Sequence, residues 1–319
     1  MELRKWNYES DEKYIDSYLK TSSNTYKIPM RTKEWFNWKF EKSPYGKALI
    51  YAAFDNNEVA GAVVFGFGKM HFNGETILCA LSYDTFVGAS YQGQHLFSKL
   101  IKGAFEECKA MGVKILYNFP NPLSMPGFKK AGLNEVKNYY NYYTIPISLF
   151  GFLSHFGDIR KGFVKNTSNY EIIKNYKIPE FSESQYSQNV YTPIWTREYV
   201  KWRFFSYPVS EYYIHSGNGV FAVVQVGYRG KIKESRILFI TATENKQLNR
   251  KLFYKALWTI KRETKCHIIS MMISPESECY HYRQGFIHVK SHTNFGWLGW
   301  DISQTNLKIA LNGIDSHTL

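Results

Sequence analysis

The chain has 319 residues, 44% hydrophobic and 21% charged, with no low-complexity tract. That composition excludes a disordered or fibrous chain, and a length about twice the ~150 residues of an average domain points to two domains. The formal net charge of +13 favours phosphate-rich partners, but the Lys and Arg residues are scattered without a block of like charges, which argues against nucleic acid as the partner.

The four cysteines, Cys79, Cys108, Cys266 and Cys279, show no C-x-x-C pair and no metal-ligand spacing with His. Reduced, buried thiols and no metal are expected. Met1–Tyr8 is polar, and no apolar run approaches the ~20 residues of a membrane span, so a cytoplasmic chain without a signal peptide is expected. The 25 Tyr, 23 Phe and 8 Trp are enough to fill two cores and to leave some rings for a pocket.

In chain order, Leu3–Tyr8 reads as a short strand and Ser10–Lys20 as a helix with Ser10 as its N-cap. A second helix with aromatics at helical spacing follows from Thr32 and stops at Pro44-Tyr45-Gly46. Ala48–Phe54 and Val59–Lys69 are strands joined by a polar turn, and Asn73-Gly74 leads into a long strand over Thr76–Val87. A loop over Gly88–Gln94 opens a helix over His95–Met111, then a strand over Val113–Phe119 and a short helix ending before Gly132. Asn138–Ile145 is a Tyr-rich strand. Ile147–Val164 is an apolar stretch with a few basic residues, read as an interdomain connector or an element lying on a membrane.

The sequence repeats itself. Thr32-Lys-Glu-Trp-Phe-Asn-Trp-Lys-Phe-Glu-Lys-Ser-Pro44 aligns without a gap to Thr196-Arg-Glu-Tyr-Val-Lys-Trp-Arg-Phe-Phe-Ser-Tyr-Pro208. Ala60–Phe65 then corresponds to Val220–Val224, Leu96–Lys99 to Leu252–Lys255, and Gly132-Leu133 to Gly285-Phe286, in the same order. Four matches in one order indicate an internal duplication.

Tyr91-Gln92-Gly93-Gln94-His95-Leu96-Phe97 lies between a strand and a helix. The first amides of a helix have no intrahelical partner and, with the helix dipole, form an anion site, and Gly93 lets backbone approach a ligand. The segment resembles the pyrophosphate-binding loop of the GNAT superfamily of N-acyltransferases, with His95 in a slot that family usually fills with glycine. Asn118-Phe-Pro-Asn121-Pro-Leu-Ser-Met-Pro-Gly-Phe128-Lys-Lys-Ala-Gly132 resembles a segment of bacterial tandem GNAT proteins. The resemblance is strong over residues 1–145 and weaker over 191–290.

It implies an α/β fold, a mixed sheet with helices on both faces, in two tandem GNAT-like domains: 1–145 binding acyl-CoA, 146–190 a connector, and 191–319 a degenerate copy forming part of the acceptor pocket. The pantetheine arm would enter where the strands Ile77–Val87 and Val113–Phe119 splay apart. Acyl-CoA would be the co-substrate, held by Phe86, Val87, Gln92, Gly93, Gln94, His95, Leu96 and Phe97, together with Asn118, Asn121 and Phe128. The second loop, Glu244–Lys251, has no glycine, so one CoA site per chain is expected.

Members of the family often use a Tyr four residues before the closing glycine to protonate the thiolate; Phe128 stands there and cannot. Asp84 is the candidate base, or else a capping or solvent-facing residue. Strand alternation would put Ser82, Asp84 and Phe86 on one face. Trp38, Tyr83, Tyr140 and Tyr142 are candidates for the acceptor pocket, with Trp35 and Trp38 also readable as core aromatics. The resemblance extends to N-acyltransferases acting on nucleotide-linked amino sugars for surface polysaccharides, with small-molecule substrates throughout. A macromolecular or tRNA-linked amine as acceptor, or a non-catalytic acyl-CoA-binding protein, stays open.

Overall fold

The computed structural model describes residues 1–159, 161–165, 178–180, 188–206, 212–243, 247–289, 293–300 and 307–316. The chain divides into two compact units: Met1–Lys137 with Thr293–Leu307, and Asn138–His292 with Lys308–Leu319.

In the first unit, β1 (Glu2–Lys5), β2 (Leu49–Asp55), β3 (Glu58–Phe72) and β4 (Glu75–Val87) form an antiparallel meander. β5 (Ile115–Asn118) lies parallel to β4. Next to β5 comes an antiparallel strand from near the end of the chain, Gly296–Gly299, and then β6 (Asn134–Glu135). On one face lie α1 (Ile15–Tyr26) and α2 (Lys33–Phe36), the latter continuing as a π-helical turn over Asn37–Glu41. On the other lie α3 (Leu96–Ala110) and α4 (Met125–Lys130).

Sequence periodicity explains both faces. α3 buries Leu96, Leu100, Ile101, Ala104, Phe105 and Cys108, a helical stripe, against Val63, Phe65 and Val87 of the sheet. The intervening β3 positions face α1, where Trp6, Tyr18, Phe36, Phe40 and Phe86 pack ring against ring. The helix expected from Ser10 begins later. Glu12–Tyr14 is a 3-10 turn, and Asp11 is engaged by Arg4 and by the Asn7 amide.

The second unit holds β7 (Asn141–Pro146), α5 (Leu149–Asp158), β8 (Val164–Lys165), β9 (Thr192–Pro193) and α6 (Arg197–Phe205), followed by β10 (Tyr213–Gly217), β11 (Val220–Arg229), β12 (Ile232–Ala242), α7 (Arg250–Thr264), β13 (Ile268–Ile273) and β14 (Ile287–Val289). Its sheet runs β10-β11-β12-β13-β7-β14, with β12 and β13 parallel. Both units therefore show an antiparallel hairpin, a helix and a parallel strand, the mixed α/β architecture expected. The repeat is also chemical: Thr32 caps α2 by accepting from the Trp35 amide, and Thr196 caps α6 by accepting from the Tyr199 amide, each at 3.2 Å. Position 208 lies outside the described residues.

Two expectations are corrected. The Tyr-rich strand β7, expected in the first domain, pairs with β13 and β14 in the second unit, while Gly296–Gly299 completes the first unit's sheet. And β4 does not alternate simply. Val64 pairs with Asp84 but Phe65 with Ser82, so Tyr83 is an extra residue, a β-bulge. The bulge puts Ser82 on the face opposite Asp84, beside Thr85, whose hydroxyl it meets at 3.4 Å. β12 carries the same device: Val223 pairs with Phe239 and Val224 with Ile237, leaving Leu238 as the extra residue.

Candidate active site

The parallel ladder between β4 and β5 runs only from Cys79/Ile115 to Leu81/Tyr117. Beyond it β4 continues through the bulge to Val87, and a cavity of about 560 Å³ opens against its last residues and the segment that follows β5, within the usual size of small-molecule sites. Thr85, Phe86 and Val87 of β4 form one wall; Tyr91, Gln92, Gly93, His95, Leu96 and Phe97 form the loop and helix start. Thr25 and Tyr26 come from the end of α1, and Asn121, Leu123 and Ser124 from the approach to α4. None of these described lining residues is Asp, Glu, Lys or Arg, so the donors they offer an anion are backbone amides, the His95 ring and neutral side-chain groups.

Those amides are present. α3 starts at Leu96 with no side-chain cap from His95, so the amides of its first turn point toward the loop without intrahelical partners. Gly93 has φ +78° with open space beside its Cα. His95 has φ +57°, so the slot filled by glycine in the resembled loop keeps the glycine conformation here despite the side chain.

The edge of β4 is the second polar feature. Gly88 N–H donates to Ala60 C=O at 2.8 Å, which fixes the register so that Thr85 and Val87 turn their backbone groups away from β3. Thr85 N–H donates to Tyr26 Oη at 2.9 Å, and the Tyr26 hydroxyl donates to Thr85 C=O at 3.0 Å. Val87 C=O accepts from Gln92 Nε2 at 3.2 Å. Burial, and then the negative charge of Asp84, push the Tyr26 phenol above the usual tyrosine range, so it stays protonated.

Behind this edge, on the α1 face, the buried Asp84 carboxylate accepts from Tyr18 Oη at 3.3 Å and Arg31 Nη1 at 3.2 Å, with Lys39 Nζ at 3.6 Å. Arg31 lies 4.0 Å and Lys39 4.9 Å from the Trp35 ring centroid.

Residues 9–134 match the family model described as Acetyltransferase (GNAT) domain. The match to a GNAT acetyltransferase domain lies within the first unit and covers less than half of the chain. Three solved structures share its fold over most of the chain. They are a GCN5-related N-acetyltransferase from Anabaena variabilis (10% identity, 93% of this chain and 72% of that one, TM-score 0.59), Eis1 from Mycobacterium abscessus (10%, 94% and 74%, 0.56), and a probable N-acyltransferase from Enterococcus faecalis (12%, 93% and 72%, 0.59). At such identities the likeness is one of fold. No curated protein sequence matches the chain. The GNAT domain supports an acyltransferase enzyme, with acyl-CoA as that family's co-substrate. Among the described residues, no helix is long and apolar enough to cross a membrane.

The GNAT domain brings together Phe86, Val87, Gln92, Gly93, His95, Leu96, Phe97 and Asn121 around the cavity; Gln94 lies in the same loop and donates to Ser90 C=O at 3.4 Å. Other candidates lie elsewhere. Asn118 is buried and paired with Gly296 on the sheet. Phe128 sits in the core, edge-on to Phe97. Trp38 is buried in the π-helical turn. Tyr140 and Tyr142 are interior to the second unit, donating to Asn312 C=O at 2.6 Å and Glu234 Oε1 at 2.5 Å. Tyr83 is the bulge residue, its ring against Gly66 and 5.6 Å from Lys39 Nζ. Asp84 is held by two cations on the α1 face and does not line the cavity.

Thr25, Tyr26, Thr85, Tyr91, Leu123 and Ser124 were not among the candidates. Thr85 was accessible through its i, i+2 relation to Val87. Tyr26 was not, because nothing near it in sequence marks its reach to β4.

Proposed function

We propose that the chain transfers an acyl group from acyl-CoA, bound in the cavity against the last residues of β4, to an amine. The observation that carries this reading is one opening that combines an uncapped helix start with a polar strand edge. The α3 amides suit a diphosphate, and the Thr85–Val87 edge suits the amide groups of an extended pantetheine arm. A neutral amine attacks the thioester carbon: the C–N bond forms, the C–S bond breaks, and the amine proton passes through water to the leaving thiolate. The oxyanion is stabilised by a backbone N–H of the strand edge. Phe128, a core residue, takes no part in proton transfer.

Binding once per chain is part of the proposal. In the second unit the start of α7 is capped by a side chain, Asn249 Oδ1 accepting from the Leu252 amide at 3.0 Å; positions 244–246 of that loop lie outside the described residues. Calorimetric titration with acetyl-CoA should give one site. Gly93→Val should abolish it, since a β-branched residue is strained at φ +78°. Two equal sites, or a Gly93→Val variant that binds normally, would refute the assignment.

For the acceptor we take the amine of a nucleotide-linked amino-deoxy sugar, such as a dTDP-3-amino-3,6-dideoxyhexose, with acetyl or 3-hydroxybutanoyl as the acyl group. The net charge of +13 supports a diphosphate-bearing acceptor. Mass spectrometry of reactions with a panel of amines decides it. Acylation of a peptide or aminoacyl-tRNA in place of the sugar, with steep salt dependence for the tRNA, selects the macromolecular reading.

A further inference from the structure

We infer that Tyr26 is a gate at the acyl end of the cavity, its phenol holding the strand-edge groups of Thr85 that an acyl thioester carbonyl needs. The inference rests on the acyl-CoA reading above and adds to it a residue from outside the loop and strand.

One hydroxyl satisfies both backbone groups of one edge residue: Thr85 N–H donates to it at 2.9 Å and it donates to Thr85 C=O at 3.0 Å. A neighbouring strand would ordinarily supply those partners, and β5 has already parted from β4 at Leu81/Tyr117. Polar backbone in a largely apolar wall is costly when unpaired, so a side chain takes the strand's place. Gln92 does the same at Val87 C=O. The two capped positions are one strand repeat apart, about 7 Å.

Their order along β4 sets their roles. Val87 is next to the loop and the α3 start, where a diphosphate belongs. Thr85 is one repeat further from it, so an extended arm meets Val87 first and presents its thioester near Thr85. A carbonyl oxygen can accept from the Thr85 N–H only when the phenol has moved aside. Tyr26 is placed to move, being the last residue of α1, followed by Lys27 with φ +55°. Its travel is bounded by Arg31, 5.4 Å from its ring centroid and tied to Asp84 at 3.2 Å. The Asp84 cluster thereby fixes the guanidinium that the Tyr26 ring lies against.

The test is calorimetric titration of the full chain and of Tyr26→Phe with acetyl-CoA and with free CoA, together with amide exchange at Thr85. Losing the competing hydroxyl should tighten acetyl-CoA binding roughly three- to tenfold, the net worth of one hydrogen bond. Free CoA, which lacks the carbonyl, should gain less. Without ligand, the Thr85 amide should be protected in the wild type and exchange faster in Tyr26→Phe, with acetyl-CoA restoring protection. Unchanged or weakened acetyl-CoA affinity in a variant that melts like the wild type overturns the gate alone. An unprotected Thr85 amide in the ligand-free wild type overturns it without any variant. A wild type that binds no acyl-CoA overturns the function and the gate together.

Discussion

At Asp84 two cations and a phenol converge on one carboxylate that is 5% exposed. Removing the anion from such a cluster leaves Arg31 and Lys39 facing each other in a low-dielectric interior, which costs about 3–5 kcal/mol. Asp84→Ala should therefore lower stability by that amount in urea denaturation. A base in the reaction would behave otherwise: full stability and a rate reduced by roughly 10²–10⁴. The residue type and its strand were legible in the sequence, and its face was not. Leu81-Ser-Tyr-Asp-Thr-Phe86 carries no glycine or proline to announce the bulge at Tyr83. Without it, Ser82 and Asp84 share a face; with it, Thr85 joins Ser82 and Asp84 turns to α1.

The same strand–helix device is built twice with different helix starts. α3 begins behind a left-handed His95 without a side-chain cap, and α7 begins behind Asn249, whose side-chain Oδ1 accepts from the Leu252 amide. Asn249→Ala should cost about 1 kcal/mol, the usual worth of an N-cap, read as a lower melting temperature, while acetyl-CoA stoichiometry stays at one. A loss of acetyl-CoA binding in that variant would place the ligand in the wrong unit. The repeated helix was legible because Thr32 and Thr196 perform one local task, capping an amide three residues on. Of the cavity, the Gln92–Phe97 loop was legible for the same reason, as a strand-to-helix turn with its glycine. Tyr26, Phe128 and the second-unit tyrosines were not, because their surroundings depend on which elements pack together rather than on neighbours in the chain.

Across the whole molecule, sequence order and sheet membership part company. β7 follows the first unit in the chain but lies in the second unit's sheet, and Gly296–Gly299 pairs with Ile115–Asn118 in the first. Local patterning cannot foresee this, since a Tyr-rich strand looks alike in either sheet. A fragment ending at residue 145 would carry a strand without its sheet and leave β5 exposed where Trp297 and Leu298 should lie. It should aggregate, or show unprotected amides over Ile115–Asn118 by hydrogen exchange. A folded, monomeric fragment that binds one acyl-CoA would contradict this. The arrangement also bears on synthesis. A ribosome releases the chain from its N-terminus at ~5–20 residues per second, and the strand completing the first sheet lies roughly 160 residues beyond Lys137. The GNAT domain would then wait on the order of 10–30 s with the β5 edge uncovered, a period in which chaperones have more to protect than its early place in the chain suggests.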